Sequence, residues 1–505
     1  DFFELGGHSL LAIRLVTRIE AELGRTVPVA ALFQDGTVEH LARLLDDQEG
    51  SQVSAEPIPA RPAEGPLPLS LDQEGLWFLD RLTPGDARYN MGVALRAEGI
   101  LNREALERSL VEVVRRHESL RTAFVMEDGE PVQRVQAVPD SLLEVDHAED
   151  PDNPQQVQGW VTAQLRRTFD LEAGHLLRAR LLRLGERSHV LALTMHHIVS
   201  DGWSVGLLYR EVGALYEAFA NDRRSPLAPL PVQYADYACW QRSRLQGEAL
   251  EGELGYWREQ LAGAPVLQLP TDHARPAVQR FRGAAVRATL PAGLRERLAR
   301  FARERRMTSY MVMLAAFGVL LHRHSGQDDI VVGSPVAGRA RPEAEGLIGM
   351  FVNTVVMRLD LDSDPGFGAF LERVSATALE AFEHQSVPFE RVVRALAPAR
   401  DLSRNPVFQV NFTYQEAAAE EPRLGPLGVT TLHRDVGVTH FDLDVYALGQ
   451  PDGGMLVGFV YDTDLFEEAT VERLLGHYVQ LLESVVASPD TPVSRLKMQA
   501  ESERR

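Results

Sequence analysis

The chain reads as a multidomain protein in which a small all-α helical unit precedes two mixed α/β halves. At 505 residues it is too long for one ordinary core, and about three domains is the expectation for that length. Apolar residues recur at helical spacing within the first fifty positions, whereas helix-like and strand-like stretches alternate from Leu71 onward. Between the two patterns, Asp46 to Pro68 is built from Asp, Gln, Ser, Glu, Pro and Ala without periodicity, which is the composition of an extended, mobile linker.

In the first unit, Leu11, Leu15, Val16 and Ile19 line one face of a helix over Leu10 to Leu23 that stops at Gly24. Thr37 caps a second helix through Leu45, and Val27 to Phe33 adds apolar surface. This is a thin core, and no helix precedes Asp1, so the unit is expected to be N-terminally truncated. The first α/β half carries helices at Arg103 to Arg116 and Gln155 to Arg167, with strands at Tyr89 to Arg96 and His189 to Met195. After the Pro-rich stretch Ser225 to Pro231, helices are expected at Ala292 to Arg305, Ser309 to His322, Phe367 to Gln385 and Val471 to Val486. Strands are expected at Asp329 to Pro335, Val407 to Tyr414 and Met455 to Asp462. The halves alternate alike but share no residue-level repeat, so any duplication lies in architecture only.

Composition narrows the function. A net charge of -20 disfavours nucleic acid and acidic lipid surfaces, leaving proteins and modest-sized molecules as partners. No run approaches a membrane span and the first residues lack a signal pattern, so a cytoplasmic location is expected. The single cysteine, Cys239, excludes an internal disulfide framework and a cysteine-rich zinc site; its aromatic surroundings, Tyr234 to Trp240, suggest a buried packing role.

Chemistry concentrates at His196 and His197, which end an apolar run and are followed by Asp201 and Gly202. The stretch Trp203 to Ala220 continues at helical spacing, so the cluster sits on a strand-to-helix turn. There Asp201 can cap the helix, Gly202 can allow a tight backbone, and His197 can project from a rigid edge as a general base. Two alternatives stay open at this point. The histidines could be satisfied core residues, or His197 and Asp201 could be metal ligands, although a metal site needs three or four ligands and no partner cluster is evident.

The opening, Asp1-Phe-Phe-Glu-Leu-Gly-Gly-His-Ser9-Leu, resembles the attachment motif of peptidyl carrier proteins from nonribosomal peptide synthetases. The resemblance implies covalent 4'-phosphopantetheine on Ser9, where a helix start would favour its phosphate. From Leu69 onward the chain resembles the condensation domain of the same synthetases. Seven motifs stand in family order: Ser70-Leu-Asp-Gln-Glu-Gly-Leu-Trp77-Phe-Leu, Arg116-His-Glu-Ser-Leu-Arg-Thr-Ala-Phe124, Met195-His-His-Ile-Val-Ser-Asp-Gly-Trp-Ser204, Tyr234-Ala-Asp-Tyr-Ala-Cys-Trp240, Ile348-Gly-Met-Phe-Val-Asn353-Thr, His384-Gln-Ser-Val-Pro-Phe-Glu390 and Arg400-Asp-Leu-Ser-Arg-Asn-Pro-Val-Phe-Gln409. The first departs slightly, with Asp72, Glu74 and Gly75 where Ala, Gln and Arg are more common.

The resemblance implies a carrier domain at 1–47, a linker at 48–67, and a condensation domain with an N-lobe at 68–235 and a C-lobe at 236–505. It also implies two chloramphenicol acetyltransferase-like lobes set in a V, with a tunnel at their junction. His197 would act on the attacking amine, as base or by positioning it; His196 and Asp201 would be structural. Asp201 would pair with Arg339, Gly202 would leave the tunnel clear, and Trp203 and Asn353 are possible tunnel-lining residues. The implied partners are a downstream aminoacyl carrier domain, adenylation domains of the same synthetase and a phosphopantetheinyl transferase. The pattern after Asp201 resembles the class joining an L-donor to an L-acceptor, and His196 argues against heterocyclising relatives. An epimerase, a non-catalytic recruitment domain of the same fold, and a free acyltransferase using coenzyme A are the competing readings.

Overall fold

A computed structural model describes residues 57–399, 401–416, 422–432 and 437–499, together with 36–47 and scattered positions before residue 36. Fourteen strands are described, in chain order: β1 Leu67–Pro68, β2 Asn90–Glu98, β3 Thr122–Glu127, β4 Glu130–Val135, β5 Leu143–His147, β6 Leu177–Arg183, β7 Ser188–His196, β8 Gly283–Leu290, β9 Asp329–Val336, β10 Asn353–Asp360, β11 Val410–Gln415, β12 Gly428–Leu432, β13 Leu443–Gly449 and β14 Met455–Asp462.

In the small unit, helix Val38–Asp47 begins where Thr37 was expected to cap it: the Thr37 hydroxyl accepts the His40 N–H at 3.2 Å, and Gly24 has the positive φ of 64° of a helix terminator. Ser9 lies outside the described residues.

The first large sheet has the order β12-β2-β7-β6-β5. Its central strand, β7, is buried at every position but the first, because both sheet faces are covered. Leu191, Leu193 and Met195 face helices Arg103–Arg116 and Gly202–Ala220, while Ala94, Leu182 and Val190 meet Val157, Val161 and Leu165 of helix Pro154–Arg166. The second sheet, β10-β9-β11-β13-β14-β8, packs against helices Ser309–Ser325, Phe367–Glu383 and Glu468–Ala487. Two mixed α/β lobes result, with a small sheet β1-β4-β3 beside the first.

Three features bear on the expected layout. The lobe boundary at 235/236 falls inside helix Tyr234–Arg244, and β12 crosses back to pair with β2, Gly428 opposite Glu98 and Leu432 opposite Ala94. The second half of the expected linker is not free: Ile58 is buried with Tyr234 and Phe351, and Arg61 bonds Glu118 at 2.6 Å and Asp236 through its backbone N–H at 3.0 Å. Proline-rich composition makes a segment extended, but here one isoleucine and one arginine find partners along the way. Cys239 is half-buried rather than enclosed, since helix Tyr234–Arg244 turns Tyr234 and Ala238 inward and leaves Cys239 at the edge.

Candidate active site

The strand-to-helix turn is compact. β7 ends at His196, a 3-10 turn covers His197–Val199, and helix Gly202–Ala220 begins after Asp201. His196 is buried, and its ring nitrogen Nδ1 accepts the Ile198 N–H at 3.1 Å, closing the turn. Phe169 meets its ring edge-on at 6.2 Å. Burial, and then the neighbouring His197, push His196 down to about 3, so it is neutral at ordinary pH.

His197 is partly exposed. Its Nδ1 lies 2.8 Å from the Ser200 carbonyl, which can only accept, so Nδ1 donates there and Nε2 is the ring nitrogen left for other partners. Its backbone N–H donates to the Tyr89 carbonyl at 2.8 Å. The Gln73 amide grips the turn from another side, donating to the Ile198 carbonyl at 3.0 Å while its oxygen accepts the Ser70 N–H at 3.0 Å. The two groups that hold His197 itself are backbone carbonyls and a side-chain amide braces the turn, so the ring is preorganised.

Asp201 turns away from that face. It caps the helix through Oδ1, which accepts the Ser204 N–H and hydroxyl at 2.7 Å each, while Oδ2 accepts the Phe351 N–H at 3.1 Å. Arg339 Nη2 lies 3.1 and 3.2 Å from the two carboxylate oxygens, and Nη1 donates to the carbonyls of Ala344 and Leu347 at 2.6 and 2.8 Å. Both side chains are 2% exposed, and the guanidinium stacks on Phe351 at 4.0 Å. The segment 339–351 of the second lobe is thus locked onto the first. Gly338 makes this possible, for its φ is +64° and a Cβ there would stand 1.7 Å from the Phe351 carbonyl oxygen.

The other expected residues divide. Gly202 is not needed for backbone conformation, since its φ is not positive among the described residues; it opens the helix, and a Cβ on it would meet nothing within 4 Å. Trp203 is partly buried, its Nε1 donating to the Glu345 carbonyl at 3.0 Å. Asn353 is a clamp rather than a wall: its amide donates to Gln385 and Val387 carbonyls at 2.8 and 2.7 Å, and its oxygen accepts the N–H groups of Thr354 and Phe389. Sequence reasoning assigned no role to Gln73, Ser204 or His440. The first two stood inside quoted motifs, but a lone histidine in Thr439-His-Phe-Asp442 carries no local signal. Among the described residues no group of three or more His, Cys, Asp or Glu could hold a metal ion, and no helix is long and apolar enough to cross a membrane.

Residues 63–505 match the condensation-domain family model, and residues 1–45 match that of the phosphopantetheine attachment site. The chain belongs to the condensation-domain family. Its N-terminal unit is a phosphopantetheine attachment domain, so the whole is a carrier–condensation didomain of the nonribosomal peptide synthetase kind, and 4'-phosphopantetheine is its covalent cofactor. Among its relatives are a linear gramicidin synthase polypeptide of Brevibacillus parabrevis, 44% identical over all of this chain, and surfactin synthase subunit 1 of Bacillus subtilis (strain 168), 40% identical over all of it. The chain spans only 7% and 14% of those two proteins. Among solved structures, the X-domain in complex with OxyB from teicoplanin biosynthesis is 30% identical with a TM-score of 0.79, covering 88% of this chain and 99% of that one. The first condensation domain of the calcium-dependent antibiotic synthetase, in complex with a substrate analogue, shares the fold at a TM-score of 0.72 and 23% identity, covering 86% of this chain and all of that one.

Proposed function

We propose that this condensation domain forms an amide bond between a donor acyl group held as a thioester through Ser9 and the amine of an aminoacyl thioester brought by a downstream carrier domain. One observation carries the reading. His197, its Nδ1 proton fixed on the Ser200 carbonyl, presents Nε2 at a partly exposed position while His196 and Asp201 are consumed in structural bonds. The Ser9 hydroxyl in Gly6-Gly-His-Ser9 has the chemistry that phosphopantetheine attachment requires, and the group, when bound, supplies the activated thioester.

Because a thioester is already activated, the residues have mainly to align two tethered reactants and to keep the amine unprotonated. In the reaction a C–N bond forms and a C–S bond breaks, and one amine proton ends on the departing sulfur. His197 Nε2 accepts that proton or holds the N–H in line. His196 and Asp201 hold the loop. Gly202 leaves the approach clear.

Adjacent adenylation domains, a phosphopantetheinyl transferase as loading enzyme, an L-donor with an L-acceptor, and a cytoplasmic location complete the reading. A domain of this fold that recruits another protein is the second reading, favoured by similarity to the X-domain found in complex with OxyB. The test loads the chain with phosphopantetheine, confirms the mass gain at Ser9, and follows single-turnover amide formation with a loaded acceptor carrier. Parent activity with loss of at least about a hundredfold in His197→Ala is expected for a residue handling the proton. An inactive parent, or an unimpaired variant, overturns the proposal.

A further inference from the structure

The groups that hold the His197 turn belong to the first lobe, and one of them leans on the second. Tyr89, whose carbonyl accepts the His197 N–H at 2.8 Å, ends the loop that leads from helix Leu71–Leu82 into β2. Its ring stacks on His440 of the second lobe, with centroids 5.4 Å and planes 20° apart. The residue before it makes a parallel contact, for the Arg88 guanidinium lies 4.0 Å over the ring of Phe281, just ahead of β8. Two consecutive side chains of the first lobe thus rest on two rings of the second.

Both sides of this contact are held in place. Within the loop, Asp86 accepts the Arg88 N–H at 2.9 Å and pairs with its guanidinium, and the Asn90 N–H donates to the Ala87 carbonyl at 3.0 Å. In the second lobe the Phe281 carbonyl accepts the N–H of Thr439, the neighbour of His440, at 3.2 Å, and Arg282 bridges to Val438. The two rings therefore form one unit. Phe281 sits there at a φ of +57°, a conformation that costs a non-glycine residue and persists only where the surroundings impose it. On the other flank Asn90 is fixed in the first lobe: it pairs with His196 across β2 and β7, and its amide donates to the Leu165 and Arg167 carbonyls at 2.8 and 2.9 Å. Tyr89 is the joint between a strand anchored in one lobe and a loop stacked on the other.

We propose that His440 and Phe281 are positioning residues for His197, acting through Tyr89 and Arg88, so that the imidazole is held in register only while the two lobes are packed. Neither ring is required to touch substrate. Their contacts are made by ring faces, which a phenyl group supplies as well as an imidazole, and what they transmit is the place of one carbonyl. A misplacement of about 1 Å in such a support can cost as much as about a hundredfold in rate. The Asp201–Arg339 pair locks the lobes, and these stacks carry that closure to the base. The inference deepens the condensation reading above and rests on it.

The alternatives are that the rings merely fill space, or that His440 meets the acceptor itself. Single-turnover amide formation by the loaded chain, with the concentration of loaded acceptor carrier varied, separates them. His440→Ala should lower the maximal rate by about tenfold and leave half-saturation within about twofold of the parent, and His440→Phe should restore the rate to within about twofold. Phe281→Leu, which keeps the backbone and removes the ring, should lose about threefold. In a His197→Ala background His440→Ala should cost nothing further, because its effect passes through the missing imidazole. Amide hydrogen exchange reads the joint without substrate: exchange at His197 should quicken about tenfold in His440→Ala, while that at Leu193 within β7 stays unchanged. Parental rate and exchange in both His440→Ala and Phe281→Leu, a loss carried by half-saturation, a His440→Phe as slow as His440→Ala, or a further loss in the His197→Ala background overturns the inference. A parent that forms no amide, or an unimpaired His197→Ala, fails the condensation reading instead, and the exchange measurement still decides whether the second lobe holds the turn.

Discussion

Replacing Asp201 with alanine tests the lock between the lobes. The change removes a helix cap, commonly worth about 1 kcal/mol, and strands the Arg339 guanidinium in a site where it is 2% exposed. Breaking a buried pair from one side typically costs about 3–5 kcal/mol, because the surviving charge stays desolvated. Arg339 retains two carbonyls and the Ser204 hydroxyl, which argues for the lower end, so a total of about 4 kcal/mol is expected. If residues 63–505 melt as one unit, an unfolding entropy of ~2.1 cal/mol/K per residue gives ~0.9 kcal/mol per degree, and the midpoint should fall by about 4–5 °C. Should one lobe melt alone, the shift should be about twice that. The measurement is a calorimetric melt of the parent, Asp201→Ala, Arg339→Met and the double variant. Removing both charges should recover more than half of the single-variant loss, since nothing charged then remains buried. A shift under about 1 °C for Asp201→Ala, or simple additivity in the double variant, would refute the argument.

The remaining expectations are narrower. Gly202→Leu should leave the melting temperature within about 1 °C while slowing amide formation, because a Cβ there meets no atom within 4 Å; equal turnover would show that nothing passes over that position. Gly338→Ala should yield mostly insoluble chain, since the residue combines a φ of +64° with a carbonyl 1.7 Å from the new Cβ; a soluble variant with parental melting would contradict that packing. Asp72 is buried and pushed up to about 7, chiefly by desolvation, with Gln241 bonding it in the opposite sense and Glu390 adding to the rise. Its folded value lies above its unfolded one, so its favourable contribution is complete below pH about 4 and lost as pH rises through about 7. Asp72→Asn should therefore gain on the parent in urea midpoint between those pH values and hold a constant lead above them; a pH-independent difference would sink the assignment.

Much of this protein was legible in its residues. The alternation of apolar runs at two spacings gave the order of units, and β14 and the strand ending in the paired histidines were readable because each is a short apolar run between polar neighbours. Thr37 and Asp201 were readable as caps, since an oxygen before a periodic stretch has a local partner in the next turn. The β3–β4 hairpin was not read from the sequence, although its turn is Asp128-Gly129, with positive φ values of 52° and 87°. The motif resemblance pointed to the double-histidine turn and to Arg339, and the folded chain brings Arg339 within 3.1 Å of Asp201.

Tertiary structure alone decided the rest. The β12 strand, Gly-Val-Thr-Thr-Leu, carries no mark that it will leave its own half and extend the first sheet at β2, because edge pairing is backbone bonding that any extended segment can offer. Ile58 and Arg61 sit in linker-like sequence, and only the surfaces they reach make them anchors. Asn353 read as possibly tunnel-lining or as a core or turn residue, and only the fold shows its amide bonded to four backbone groups. His440 is the sharpest case. Spacing in a sequence reports neighbours along a helix or strand, whereas the stacking of His440 on Tyr89 brings together positions 351 residues apart, and that proximity exists only once the two lobes have packed.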